Sequence, residues 1–327
     1  MKSGTRKARI GVITNPGSQR NKKGLAEMTR LLEAAPEARH VVIGSIAEVP
    51  EILADFARRE IEIVAVAGGD GTVQAALTEL YNRRPFARDP LLAVVPRGMT
   101  NMIAADVGLK GLKGLARLLQ ASPEAVARAT RRRRILRAEN VLNREAQYGM
   151  FFGGAGICRA IDACRSKVHP LKVEADAAAA VTLAGLLGGW LFGRRKENGA
   201  ADSIFYGDRI GMGFDGGPET TMESLIILAT TLDRLILGSR PFWGGDAGHL
   251  RFTAIAYPPK GLLRYALRIL YGGAGRRLPA ESYLSRSVER VALTMDCPFT
   301  LDGEMFQPTP GRPLVLTAAD EAGFVRL

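Results

Sequence analysis

Between Val64 and Leu77 the chain reads VAVAGGDGTVQAAL, with three glycines and an aspartate between two apolar runs. Ile61, Ile63, Val64, Val66 and Ala67 predict a buried strand. Val73, Ala76, Leu77 and Leu80 predict one face of a helix. Glycine permits a tight turn and lets a ligand approach the backbone. The helix N-terminus behind it offers free N–H groups and the positive end of a dipole, which suit phosphate. Asp70 is then out of place, because an anion facing a phosphate repels it. A divalent cation bridging the two removes the conflict. The same carboxylate could accept a proton from a hydroxyl. A strand–glycine–helix turn with an aspartate near the N-cap also occurs where nothing binds, so this loop alone leaves phosphate binding open. As a loop residue Asp70 is expected to contribute little packing. The loop is not a Walker A motif, since no Gly-Lys-Ser/Thr follows, and the dinucleotide fingerprint fails at Gln74.

Positioning such a loop requires a scaffold, and the first part of the chain alternates strand and helix. ARIGVIT, HVVIG, EIVAVAG and LLAVVP read as strands. Lys23 to Ala34, Val49 to Arg59, Val73 to Tyr81 and a stretch from Asn101 read as helices. This rhythm predicts a doubly wound α/β domain with a mostly parallel sheet. Ligands of such sheets bind outside the carboxyl ends of the strands. Three polar or glycine-rich loops fall there: Asn15 to Ser18, Gly68 to Thr72, and Pro96 to Asn101.

The pattern changes after about Arg131. YGMFFGGAG, SLIILATT, LRFTAIAY, VERVALTM and PFTLDGEMF are short apolar runs separated by glycine- and proline-rich turns. They predict a mainly antiparallel β-sandwich, interrupted by helices at about Val173 to Phe192 and Lys260 to Leu270. The expected domains are 1–130 (α/β, nucleotide-binding) and 131–318 (β-sandwich), with 319–327 a tail returning to the first. A cleft between the domains is the default ligand site.

The 327 residues suffice for two domains, and 46% hydrophobic content builds a substantial core. A net charge of +12 favours anionic partners. Aromatics are only 6% and do not interleave with the basic runs Arg131–Arg134, Arg194–Lys196 and Arg276–Arg277, which weakens a nucleic-acid reading. Each basic run taken alone reads as a solvated element end. The three cysteines, Cys158, Cys164 and Cys297, form no disulfide framework or zinc spacing and read as small buried residues in a reducing cytosol. No secretory signal is visible. The longest uncharged run, Ala177 to Gly193, has 17 residues, short of the roughly 20 strongly apolar ones a span needs. It reads as a buried or interfacial helix.

Taken in order, Asn15-Pro16, Gly68-Gly69-Asp70-Gly71-Thr72, Pro96-x-Gly98-x-x-Asn101 and Asp302-Gly303-Glu304 resemble the diacylglycerol kinase catalytic family. That family includes sphingosine, ceramide and bacterial lipid kinases, and it shares the glycine motif with the NAD kinases. The terminal Asp-Gly-Glu points to the lipid branch. Read without the family, Asp302-Gly303 is a common hairpin turn.

The resemblance implies ATP and Mg²⁺ as cofactors and a membrane lipid as phosphoryl acceptor. It implies ATP loops at Asn15, Pro16, Gly17, Ser18, Gly68, Gly69, Asp70, Gly71, Thr72, Gly98, Thr100 and Asn101, with Ser45 as a hydroxyl contact. It implies a catalytic role for Asp302, Glu304 and Asp70, and a metal role for Asp70 and Asp246. Arg20, Lys22 or Lys23 would supply positive charge to the transferred group. The acceptor is expected to be diacylglycerol, a ceramide or a sphingoid base, reached at an anionic membrane surface on the cytoplasmic side. A homo-oligomer stays open; nucleic acid is not expected. Two departures stand out. The family threonine of the third motif falls on Met99, with Thr100 adjacent. The aspartate of the structural ion falls on Ala247, with Asp246 one residue early. An NAD kinase-like enzyme and a degenerate nucleotide- or lipid-binding protein are the alternatives.

Overall fold

Strand β1 (Ile10–Thr14) is apolar and buried at every position, as a strand covered on both faces must be. The computed structural model describes residues 7–18, 20–167, 206–245, 247–273 and 275–327. From β1 the chain runs through α1 (Asn21–Glu33), β2 (Arg39–Val42), α2 (Val49–Arg58), β3 (Ile63–Gly68), α3 (Asp70–Arg83), β4 (Leu91–Pro96), α4 (Met102–Val107), α5 (Gly111–Gln120) and α6 (Pro123–Ala129). The four strands are parallel in the order β2-β1-β3-β4. Met28 and Leu32 of α1, Leu115 and Leu118 of α5 and Val126 of α6 join the core that includes Val12, Ala65 and Val95. Gly11 points the other way, where a Cβ would collide with the Phe56 ring of α2. Helices therefore cover both faces, because strands apolar on both sides leave no face for water.

This order sets up the site. Chain growth runs outward from β1 to β2 on one side and from β3 to β4 on the other. The crevice at the carboxyl ends of β1 and β3 is thus a topological switch point, where backbone N–H groups are left uncovered by any crossover.

The chain divides into two compact units, Met1–Ile135 with Asp320–Leu327, and Leu136–Ala319. The later elements are β5 (Thr130–Glu139), β6 (Gln147–Gly149), β7 (Phe151–Ala155), α7 (Gly156–Lys167), β8 (Asp208–Phe214), β9 (Thr220–Thr230), β10 (Leu250–Ala256), α8 (Leu262–Tyr271), β11 (Tyr283–Val288), β12 (Arg290–Thr294), β13 (Phe299–Leu301), β14 (Glu304–Phe306) and β15 (Leu314–Val325). In the second unit the pairings are antiparallel. Strand β9 pairs with β8 over Thr220–Ser224, with β7 over Ile226–Thr230, and with β10 from Ser224 to Thr230. One core gathers Phe152, Ile227, Phe252, Leu293 and Phe299 from these strands. The Phe152 and Phe299 rings stand 5.5 Å apart, and those of Phe214 and Phe252 5.3 Å apart, edge to face. The expected fold class, an α/β domain followed by a mainly antiparallel one, is the one observed.

Several local expectations change. Helix α3 begins at Asp70, so Asp70–Thr72 are its first turn rather than a free loop. The arginine run at Arg131 opens β5, exposed at Arg131 and Arg132 and half-buried at Arg133 and Arg134. Arg132 there pairs with Glu321 at 3.0 Å and Arg133 with the buried Asp106 at 3.2 Å. The helix expected at Val173 to Phe192 lies outside the described residues, as does the apolar run at Ala177. Among the described residues no helix is long and apolar enough to cross a membrane. Burial pushes the Cys158 thiol up to about 12 and the Cys297 thiol to about 11, so both behave as small packed groups.

Candidate functional site

The first unit brings its three loops together through side chains that the motifs supply. Asn15 follows β1, and its Nδ2 donates to Thr72 Oγ1 at 2.9 Å. Its Oδ1 accepts the Gly17 N–H at 2.9 Å, closing the first loop as an Asx turn. Ser18 Oγ accepts the Gly69 N–H at 3.3 Å. The second and third loops meet through their backbones: a Cβ on Gly69 would lie 3.2 Å from the Gly98 Cα. Gly68 has no room either, because a Cβ would sit 2.6 Å from the Thr72 Cβ.

Asp70 is nearly inaccessible, at 7% exposure. Its Oδ2 accepts Thr100 Oγ1 and the Met102 N–H, both at 2.9 Å, and its Oδ1 accepts the Ile103 N–H at 3.0 Å. The carboxylate thereby satisfies the first free N–H groups of α4, a capping role played from another element. Burial pushes its pKa up, against the three donors that pull it down. The expectation that Asp70 contributes little to the fold is therefore corrected. Asn101 organises the third loop: it sits at φ +48°, its Oδ1 accepts the Gly98 N–H at 2.7 Å, and its Nδ2 donates to the Gly98 carbonyl at 2.8 Å. Thr100 turns its hydroxyl to Asp70, while Met99 points outward.

The N–H groups of Asp70 and Gly71, at the N-terminus of α3, have no partner among the described residues. Two further residues escaped the reading of the sequence. Asn21, fully buried, donates to the Asn15 carbonyl at 2.6 Å and the Ala67 carbonyl at 3.0 Å, tying the first loop to β3. Arg97 lies between β4 and Gly98. Its buried Nε and Nη2 have no hydrogen-bond partner among the described residues. The guanidinium packs over α1, where a Cβ on Gly24 would come within 3.1 Å of it. Burial lowers its pKa; the Glu27 carboxylate opposes this and Arg20 adds to it. Buried donors without an acceptor are a poor arrangement unless a ligand supplies one. A signal for Arg97 existed in the sequence, a cation inside a motif of small residues. Asn21 carried none.

Phosphate thus fits this cradle. A protein cage for a divalent ion does not: the described residues contain no group of three metal-ligating side chains, and the Asp70 oxygens are committed. Asp246 lies outside the described residues, as do the side chains of Lys22 and Lys23. Ser45 is exposed and caps the short 3₁₀ turn after β2, accepting the Ala47 N–H at 3.2 Å. No described bond joins it to the other loops. Pro16 lies in the first loop, and Arg20 is exposed with its N–H on the Arg97 carbonyl at 2.9 Å.

In the second unit, Asp302 and Gly303 form the two-residue turn between β13 and β14, at φ +49° and +92°. Both positive angles are those of the tight hairpin that Asp-Gly favours. Yet the turn is more than a connector. Asp302 is buried, its Oδ2 accepting the Met150 N–H and its Oδ1 the Phe151 N–H, each at 2.9 Å. A Cβ on Gly149 would collide with Asp302 Oδ2, so the glycine makes room for the carboxylate. Glu304, one residue past the turn, is exposed, with no side-chain partner among the described residues. The acidic pair therefore divides into a held carboxylate and a free one.

Comparison with known proteins bears on the first site and on the fold. The family model of the diacylglycerol kinase catalytic domain matches residues 9–134. Over 104 residues the chain is 32% identical to a diacylglycerol kinase of Bacillus subtilis (strain 168), a match taking in 31% of this chain and 33% of that protein. The match thus spans about a third of the curated relative's length. A crystal structure of a candidate diacylglycerol kinase from Bacillus anthracis str. Sterne resembles 98% of this chain over 98% of its own, with a TM-score of 0.65 at 14% identity. A structure of a diacylglycerol kinase from the same organism gives 0.59 at 14% identity, over 97% of both chains. At such identities the structures speak for the fold alone. Motifs, family model and fold agree: residues 9–134 match the diacylglycerol kinase catalytic domain, and the whole chain shares the fold of the two Bacillus anthracis structures.

Proposed function

We propose that the protein is an ATP-dependent kinase that phosphorylates the primary hydroxyl of a membrane lipid, diacylglycerol or a ceramide or sphingoid base. The observation that carries this reading is the cradle at the switch point. Two unpaired N–H groups of α3 and the unpartnered donors of Arg97 lie among three loops that bind one another. Phosphoryl transfer asks of a protein chiefly that it hold the phosphates and neutralise their charge. The Asp70 and Gly71 N–H groups and Arg97 would hold them. Asp70 would keep the second and third loops in register, and Asn15 and Asn21 the first. Mg²⁺, which the family reading brings with ATP, would supply further positive charge.

The acceptor alcohol needs a group that takes its proton. In the acidic pair Glu304 is the free candidate, and Asp302 holds the turn that presents it. Attachment to the cytoplasmic face of a membrane belongs to the same proposal, since the acceptor resides there.

A second reading, a nucleotide binder without transfer, is favoured by the sealed Asp70 carboxylate and the outward Met99. One experiment separates the two: incubation with labelled ATP, Mg²⁺ and vesicles carrying each candidate lipid, followed by chromatography of the lipid fraction. Labelled lipid supports the kinase. Nucleotide binding with no labelled lipid from the whole panel supports the binder and overturns the kinase.

A further inference from the structure

Among the described residues, helix α8 (Leu262–Tyr271) packs into a core on one side only. Leu262, Tyr265 and Ile269 face the small core built on Ile255 and Tyr283. Leu263, Leu267 and Tyr271 recur every fourth residue on the opposite side and are 42%, 75% and 50% exposed. Three and four residues apart on a helix are neighbours, so these side chains form one continuous apolar stripe. Next to it the 3₁₀ turn Ile236–Gly238 exposes Ile236 and Leu237, and the Tyr271 hydroxyl reaches the Leu237 carbonyl at 3.5 Å. Leu237 adopts φ +57°, a costly conformation for a leucine, and its side chain gains no burial from it. A contiguous apolar patch of this kind is rare on a chain that meets only water.

The charge around the patch is mainly positive. Arg264 and Arg268 flank the stripe along α8, both exposed, and the helix has no acid. From Asp233 to Glu281 the sequence carries eight lysines and arginines against three acids, Asp233, Asp246 and Glu281. Asp233 pairs with Arg251 at 2.9 Å and Glu281 with Lys260 at 3.5 Å, and Arg264 and Arg268 have no such ion pair among the described residues. The platform is also rigid. Arg276, 8% exposed, donates to the carbonyls of Arg268, Arg240 and Phe242 at 2.5 to 2.6 Å, stapling the end of α8 to the segment that follows the 3₁₀ turn.

We propose that this face, α8 with the Ile236–Gly238 turn, docks on an anionic phospholipid bilayer. The leucines and Tyr271 enter the acyl boundary while the arginines lie at the phosphate level, the arrangement of a helix lying in the plane of the interface. Anionic lipid is the occupant because a neutral apolar partner leaves the arginines without counter-charge, whereas a headgroup layer supplies it within a Debye length. The inference concerns docking only. It does not depend on which alcohol is phosphorylated, or on transfer occurring at all.

Vesicle co-sedimentation without ATP tests it, comparing pure phosphatidylcholine with vesicles containing about 30% phosphatidylglycerol. The full chain is expected to bind the anionic vesicles and to be released by salt. Leu263→Ser with Leu267→Ser should lower vesicle affinity at least tenfold, and Leu267→Ser alone severalfold. Arg264→Gln with Arg268→Gln should lower it and flatten the salt dependence. Leu142→Ser, at an exposed leucine elsewhere, should change nothing. Unchanged thermal midpoints show that the variants fold. Wild-type binding that ignores these substitutions overturns the proposal, as does no vesicle binding by the wild type. A dimer in sedimentation velocity that dissociates in the Leu263/Leu267 variant, with no vesicle binding, overturns it in favour of a second copy as occupant.

Discussion

Gly69 and Gly98 touch through their backbones, and neither has room for a side chain: a Cβ on Gly98 would collide with the Gly69 Cα. This contact joins the loop after β3 to the loop after β4, and Arg97 N–H to Gly68 carbonyl at 3.0 Å continues it. Gly98→Ala should force the two loops apart. Overpacking of this kind costs about 1–3 kcal/mol, because backbone rather than a flexible tip must move. We expect a lower thermal midpoint together with weaker binding of a non-hydrolysable ATP analogue, read by calorimetry. Unaltered nucleotide binding would mean that the junction is not part of the cradle.

Removal of the Asp70 carboxylate orphans the Met102 and Ile103 N–H groups and the Thr100 hydroxyl. Each buried unpaired donor costs about 1–3 kcal/mol. Asp70→Ala is therefore expected to lose about 3 kcal/mol or more of stability in denaturant titration, along with activity. A variant that is inactive but as stable as the wild type would return Asp70 to a purely chemical role.

Arg97→Gln offers the opposite signature. It removes a cation whose buried Nε and Nη2 lack partners among the described residues and which lies in the fields of both Glu27 and Arg20. Stability without ligand should stay level or rise. Affinity for the ATP analogue should fall about tenfold or more, the worth of a charge-assisted bond at about 1.5–3 kcal/mol. Equal affinity in both proteins, measured at two salt concentrations, would remove Arg97 from the phosphate site.

The acidic hairpin should separate in the same way. Glu304→Gln is expected to reduce kcat by about a hundredfold or more with an unchanged thermal midpoint, as loss of a proton acceptor does. Asp302→Asn should reduce both kcat and the midpoint, because its amide cannot accept both the Met150 and Phe151 N–H groups as the carboxylate does. Full activity of Glu304→Gln would leave the free carboxylate without a catalytic part.

His40 gives a pH dependence. Its Nε2 lies 3.0 Å from Thr14 Oγ1, at the edge of the first loop, and burial holds its pKa below the usual value. Unfolded, it titrates near its ordinary value of about 6.5. Between that pH and the lower folded value the unfolded chain binds a proton that the folded chain does not. Stability from this group is present above about pH 6.5 and is lost as pH falls through the folded pKa. His40→Gln should flatten the thermal midpoint across that window relative to the wild type. Parallel curves for the two proteins would contradict it.

The sequence by itself determined the local pieces. Apolar runs bounded by glycine and proline place β1, β3 and β4, since strands covered on both faces admit little else. Asp302-Gly303 reads as a hairpin because both positions need positive φ. Strands β8, β11 and β15 left weaker signals, because glycines in β8 and polar residues within β11 and β15 break the apolar pattern. What a side chain is for was decided by the tertiary structure. Asp70 reads as a residue facing a ligand until α4 folds back across the end of β4 and presents its free N–H groups to it. Asp302 and Glu304 are two equivalent acids in the sequence. The neighbouring chain at the start of β7 makes them different, binding one through the Met150 and Phe151 N–H groups and leaving the other in water. Hydrogen-bond partners lie far away along the chain, 152 residues apart for Met150 and Asp302, and no local pattern encodes them.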